Sequence, residues 1–147
     1  MNLIVEVAKV NGRSERGDRA RAKILAQSTL IASMAGLEGL SMGRLAAEVG
    51  VGKGNIQVLF GDKEALQLAT LEEAVNLFDA AVVAPAMNKK SPLAKLLALV
   101  EGWFDFVESR AMPGGCFMNA TNTGHDQAAF AMRYASMVRR SGAVYAS

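Results

Sequence analysis

Apolar residues in this chain recur at three- and four-residue intervals, and no stretch alternates apolar and polar residues at period two for long enough to make a strand. The prolines agree with that pattern. Only Pro85, Pro92 and Pro113 occur, each where a helical pattern breaks. The expected fold class is therefore all-α. With 51% apolar and 20% charged residues among 147, the chain is not of a disordered type. Its length fits one domain, or one small domain with a second helical layer, which buries about two-thirds of its unfolded surface without disulfides.

A single cysteine excludes a disulfide within one chain, and one cysteine with one histidine leaves no closed Cys/His zinc site. No metal and no cofactor are expected. No apolar run reaches membrane-spanning length. The first ten residues carry Glu6 and Lys9 and lack both a basic start and a small-residue cleavage site, so they do not read as a secretion signal. The expectation is a reduced, cytoplasmic protein with no membrane partner.

Helix signals are frequent. A first helix is expected from Asp18, as N-cap, to Ala35, with Ile24, Leu25, Ser28, Ile31, Ala32 and Ala35 on one face and Gly36 as its stop. Ser41 caps a short helix through Val49, ended by Gly50. A third runs from Lys53 to Phe60 and breaks at Gly61. Asp62 caps a fourth, from Lys63 to Ala84, which Pro85 and Asn88-Lys89-Lys90 end. Ser91-Pro92 opens a fifth, whose apolar face is Leu93, Leu96, Leu97, Val100, Phe104 and Val107. Cys116 to Thr121 and Gln127 to Arg139 read as two more.

Charge is uneven along the chain. Residues 1–66 hold nine Lys and Arg against seven Asp and Glu, and the remainder is balanced. Six of the nine (Lys9, Arg13, Arg16, Arg19, Arg21 and Lys23) lie in a basic arm before the first helix's apolar face, which fits either a phosphate-facing surface or a solvated face.

The most informative stretch is Leu45 to Leu59. Two helices crossing over a tight turn need a small residue at the crossing, glycine in the turn, and apolar residues between them. Here Ala46 is the small residue, Gly50 follows four positions on and Ile56 six further, with Leu45, Val49, Val51 and Leu59 at the expected buried positions. This is helix-turn-helix spacing, whose second helix enters the DNA major groove. An ordinary helical hairpin in a core is the competing reading.

Residues 19–66 resemble the N-terminal DNA-binding domain of the TetR family of transcriptional regulators. The match is carried by Ile24-Leu25, Gly36, Gly39-Leu40-Ser41, Leu45-Ala46, Val49-Gly50-Val51, Lys53-Gly54, Phe60 and Lys63-Glu64-Ala65-Leu66, in order and without a gap. Trp103 to Asn122, with Gly114-Gly115-Cys116-Phe117, resembles the regulatory half of many members. The resemblance implies a helix-turn-helix DNA-binding domain over residues 1–62 and a helical ligand-binding and dimerisation domain over 63–147. It also implies a homodimer on a palindromic operator in double-stranded DNA, released as a repressor by a small-molecule effector. Ser41 stands where the family places a phosphate-contacting hydroxyl, Arg44 one turn on, and Lys63 where the family holds a phosphate-contacting lysine. Lys53, Asn55 and Gln57 lie on the helix that faces base edges, and Asn or Gln can pair with adenine through two hydrogen bonds. Each of these also has a bland reading as cap or polar surface.

The chain departs from the family at several positions. Gln57, Val58 and Leu59 stand where aromatic and polar residues are usual, although the Val58 methyls can meet a thymine methyl. Gly52 replaces a serine cap, and Gly43 and Gly54 lie inside helices at about 0.5–1 kcal/mol each. Similar proteins continue for about fifty residues more, in the two helices that build the dimer, so the second domain is expected to be shortened. Leu97, Trp103, Phe104, Val107, Cys116, Phe117 and Met132 are candidates to line an effector pocket, with an ordinary core as the competing reading. Cys116 has no cationic neighbour in sequence to activate it, and His125 has no orienting partner, so no enzyme is expected. The alternative to a DNA-binding regulator is a helical ligand-binding or interaction module that has lost DNA reading and pairs with a full-length relative.

Overall fold

The computed structural model describes residues 3–114, with side chains from Arg16 onward. Every regular element among them is helical. The expected helices from Cys116 and from Gln127 lie outside the described residues, as do Cys116, Phe117 and Met132.

α1 spans Leu3–Ala35 and begins fifteen residues before Asp18. No proline lies in residues 3–17 to stop a helix, and Gly12 and Gly17 weaken it without ending it. Asp18 is thus an exposed mid-helix residue, not a cap, and the basic segment lies within a helix about 50 Å long. Toward its end α1 buries Ile24, Ser28, Ile31 and Ala32 and half-buries Leu25. Ala35, expected on that face, is exposed because the chain turns away at Gly36, whose φ of 69° suits glycine.

The link from Leu37 to Ser41 is tight. The Leu40 amide donates to the Leu37 carbonyl at 3.1 Å. A methyl at Gly39 would stand 2.5 Å from the Ala35 carbonyl oxygen and 2.6 Å from its Cβ. Gly39→Ala is therefore expected to destabilise by about 1–3 kcal/mol, seen as a lower urea midpoint at an unchanged slope.

α2 (Met42–Val49) is capped as expected: the Arg44 amide donates to Ser41 Oγ at 3.2 Å. It ends at Gly50, in the left-handed region at φ 72°, and the Gly50 and Val51 amides both donate to the Ala46 carbonyl. α3 (Lys53–Phe60) follows and stops at Gly61, φ 85°. Asp62 caps α4 (Lys63–Phe78) by accepting from the Ala65 amide at 2.8 Å. Ile24, Ile31, Leu40, Leu45, Ala46, Ile56, Phe60 and Leu66 form one core cluster under these four helices. Val51, expected inside, is 37% exposed, since it follows Gly50 in the turn between α2 and α3.

α1 and α4 are joined through a buried polar contact. The Ser28 and Thr70 hydroxyl oxygens lie 2.9 Å apart, while Ser28 also reaches the Leu25 carbonyl (2.8 Å) and Thr70 the Leu66 carbonyl (2.7 Å). Two protons serve three contacts, so at any instant one of the three is not a hydrogen bond. Gln67 adds a second tie by donating to the Leu37 carbonyl at 2.7 Å.

The helix begun at Lys63 does not end at Pro85. It widens into a π-helical turn over Asp79–Val83 and resumes as α5 (Ala84–Met87). A proline at position 85 has no amide for the Ala81 carbonyl, and its ring would collide with that carbonyl in a regular α-helix. The π turn shifts the pairing, so that the Ala84 amide bonds the Asp79 carbonyl five residues back.

α6 (Pro92–Glu108) is capped by Ser91, whose Oγ accepts from the Ala94 amide at 3.1 Å. It packs back on the π turn at Gly102, where a methyl would meet Val82 at an ordinary 3.5 Å. Phe106 meets Phe78 edge-on, with centroids 5.6 Å apart. Phe106 also lies against a second cluster of Ala32, Leu37, Leu71, Ala74 and Met112. The expected apolar face of α6 points the other way: Leu93, Leu96, Leu97, Val100, Phe104 and Val107 are all exposed. This exposed side and the packed side (Ala98, Leu99, Gly102 and Phe106) are both apolar, with Glu101, Asp105 and Glu108 along the edge between them.

Candidate nucleic-acid interface

The crossing of α2 over α3 is built on Leu45 and Ile56, both fully buried, with Ala46 at 3% exposure between the helices. With Ile56 and Phe60 turned inward and Leu59 half-buried, the remaining side of α3 faces solvent. That side carries Lys53, Gly54, Asn55, Gln57 and Val58. Val58 is 87% exposed, the most open large apolar side chain among the described residues. An eight-residue helix is about 12 Å long, close to the width of the B-DNA major groove. α3 thus presents two amide side chains and one cation on a surface that nothing among the described residues buries.

Ser41, Arg44 and Lys63 gather around the link between α1 and α2. Ser41 Oγ accepts the Arg44 amide, and its hydroxyl proton remains available to a phosphate. The Arg44 guanidinium reaches the Gly39 carbonyl at 3.4 Å. Lys63 Nζ lies 3.4 Å from Glu38 Oε2, in a pair whose side chains are 50% and 77% exposed. Such a surface pair contributes at most about 1 kcal/mol, so exchanging Glu38 for a phosphate oxygen costs Lys63 little. All six residues singled out from the sequence as DNA contacts are exposed.

One basic residue behaves otherwise. Arg21, counted with the basic arm, is half-buried and turned toward α3. Its Nη1 donates to the Leu59 carbonyl at 2.8 Å, and its guanidinium carbon lies 4.4 Å from the centre of the Phe60 ring. A sequence signal for this existed: Arg21 falls three residues before Ile24 and seven before Ser28, on the buried stripe of α1.

The four described candidates for an effector pocket (Leu97, Trp103, Phe104 and Val107) share the exposed side of α6, with Trp103 and Phe104 ring centres 5.1 Å apart. They are brought together, but on an open face rather than within the core of the described residues. Among the described residues no three His, Cys, Asp or Glu side chains are placed to hold a metal ion, and no helix is long and apolar enough to cross a membrane.

The fold is shared with a solved structure. The crystal structure of AibR in complex with isovaleryl coenzyme A and operator DNA matches with a TM-score of 0.61 at 20% identity, over 86% of this chain and 76% of that one. No family model and no curated protein matches the chain.

Proposed function

We propose that the chain is a DNA-binding transcriptional regulator of the TetR type, not an enzyme, acting as a homodimeric repressor that a small-molecule effector releases from a palindromic operator. The observation that carries this reading is the outward side of α3, with Lys53, Asn55 and Gln57 exposed while Ile56 and Phe60 anchor the helix beneath them. Ser41, Arg44 and Lys63 supply positioning contacts to phosphates, and α3 supplies contacts to base edges. AibR, of the same fold, is seen with operator DNA and an acyl coenzyme A thioester, which supports a nucleic-acid partner and an organic effector here.

Fluorescence anisotropy of labelled duplex DNA titrated with the full chain tests the reading. Binding at low salt is expected, and its absence for every duplex tried would count against the proposal. On an enriched duplex, Asn55→Ala is expected to cost about 1–3 kcal/mol at one base position and to relax the preference there.

A second reading, an interaction module that no longer reads DNA, draws support from the seven exposed apolar side chains of α6. Light scattering after size exclusion separates the two. A dimer that binds duplex favours the first, and a monomer indifferent to DNA favours the second.

A further inference from the structure

α3 is poorly equipped to hold its own shape. It has eight residues, well below the length at which an isolated helix is stable. Its N-cap is Gly52, which offers no side-chain hydrogen bond, and Gly54 lies inside it with open space where a side chain would stand. A base-reading surface nonetheless needs its side chains at a fixed angle. The order of α3 must therefore come from what it packs on.

Two apolar anchors, Ile56 and Phe60, supply part of that order, and Arg21 supplies a different kind of contact. The Leu59 carbonyl belongs to the last turn of α3, where no later residue of the helix donates to it. Arg21 Nη1 fills that gap at 2.8 Å, placing a cation at the negative end of the helix. The same guanidinium lies over the Phe60 ring at 4.4 Å. One planar group meets both a carbonyl and a ring on adjacent residues. A lysine ammonium, without the flat fork, does not reproduce that pair. The contact joins residues 38 positions apart and ties the far end of α3 to α1. Lys53 and Asn55, at the opposite end of α3, are left to the groove, where helix-turn-helix proteins make their base contacts.

We infer that Arg21 is a positioning residue for DNA recognition: it holds the C-terminal end of α3 against α1 and so sets the angle at which Lys53, Asn55 and Gln57 meet the bases. The inference rests on the proposed reading of α3 as the base-contacting helix. It assigns Arg21 a role apart from the phosphate-facing one that its place in a basic segment suggests.

The test uses the full chain and two probes: a 20-base-pair duplex enriched from a random library by the wild-type chain, and a random-sequence duplex of equal length. Arg21→Lys and Arg21→Met are each expected to lose about tenfold or more on the enriched duplex and to keep wild-type affinity for the random one. The dependence of log affinity on log salt should stay unchanged, because no phosphate contact is removed. Phe60→Leu, which keeps the carbonyl contact and loses the ring, should fall between. For Arg21→Met, an equal loss on both duplexes, with the salt dependence reduced by about 0.9 per head, makes Arg21 a phosphate contact and overturns the inference. So does a lower urea midpoint with unchanged binding by the folded chain, which makes the role merely structural. If Arg21→Met does not fold, Arg21→Lys decides alone: a loss on the enriched duplex only supports the inference, and wild-type affinity for both duplexes, as a lysine still able to meet a phosphate would give, overturns it. A wild-type chain that enriches no duplex overturns the reading of α3 itself, and is told apart by the absence of any specific binding to compare.

Discussion

Replacing Ile56 by alanine is expected to cost about 2–5 kcal/mol of folding stability, a large part of what a domain of this size possesses. Ile56 is fully buried where α3 crosses α2, among Ile24, Leu45, Ala46 and Phe60. Truncation removes three methyl or methylene groups from contact and leaves a cavity that the short helix cannot close without leaving its seat. Urea denaturation followed by circular dichroism measures the loss as a lower midpoint. Val58→Ala, two residues away on the same helix but 87% exposed, should move that midpoint by less than about 0.5 kcal/mol. Equal effects of the two substitutions would mean that α3 is not docked as described.

The second large effect is on affinity for DNA. Each proposed head has two exposed cations assigned to phosphates, Arg44 and Lys63. If both make those contacts, log affinity should fall with log salt at a slope of about −1.8 per head. Between 50 and 200 mM salt one head then loses about 12-fold, and a two-fold pair about 150-fold, because the losses multiply. Anisotropy titrations across a salt series give the slope directly. Lys63→Ala should make it shallower by about one per head. A slope near zero with retained binding would remove the phosphate contacts from the proposal.

What the sequence made legible here was local. Ser41, Asp62 and Ser91 cap helices because an oxygen two or three bonds from the backbone reaches an amide three residues on, and that depends on nothing distant. Gly36, Gly50 and Gly61 end helices for an equally local reason, each adopting a positive φ. The crossing of α2 on α3 was legible because Leu45, Ala46, Gly50 and Ile56 must recur at one spacing for the pair to close. The unread features depended on competition. Asp18 resembled a cap, yet nothing before it stopped the helix. Pro85 resembled a terminator, yet a π turn absorbed it. α6 is apolar on two sides of a charged edge, and periodicity cannot choose between them. Arg21 read as part of a basic run because charge counts do not reveal which way a side chain turns. For the site, residue types and exposure were legible, while the support beneath α3 was not.

The shared use of α1 and α4 has a consequence for how the molecule comes apart. Ile31 and Ala32 are neighbours in α1 yet belong to different clusters, and Leu66 and Leu71 in α4 are likewise divided between them. Neither cluster can be opened without disturbing helices that line the other. Backbone amides on both sides of Thr70 should therefore exchange with solvent deuterium at one common free energy, and heat should melt the described region in a single step.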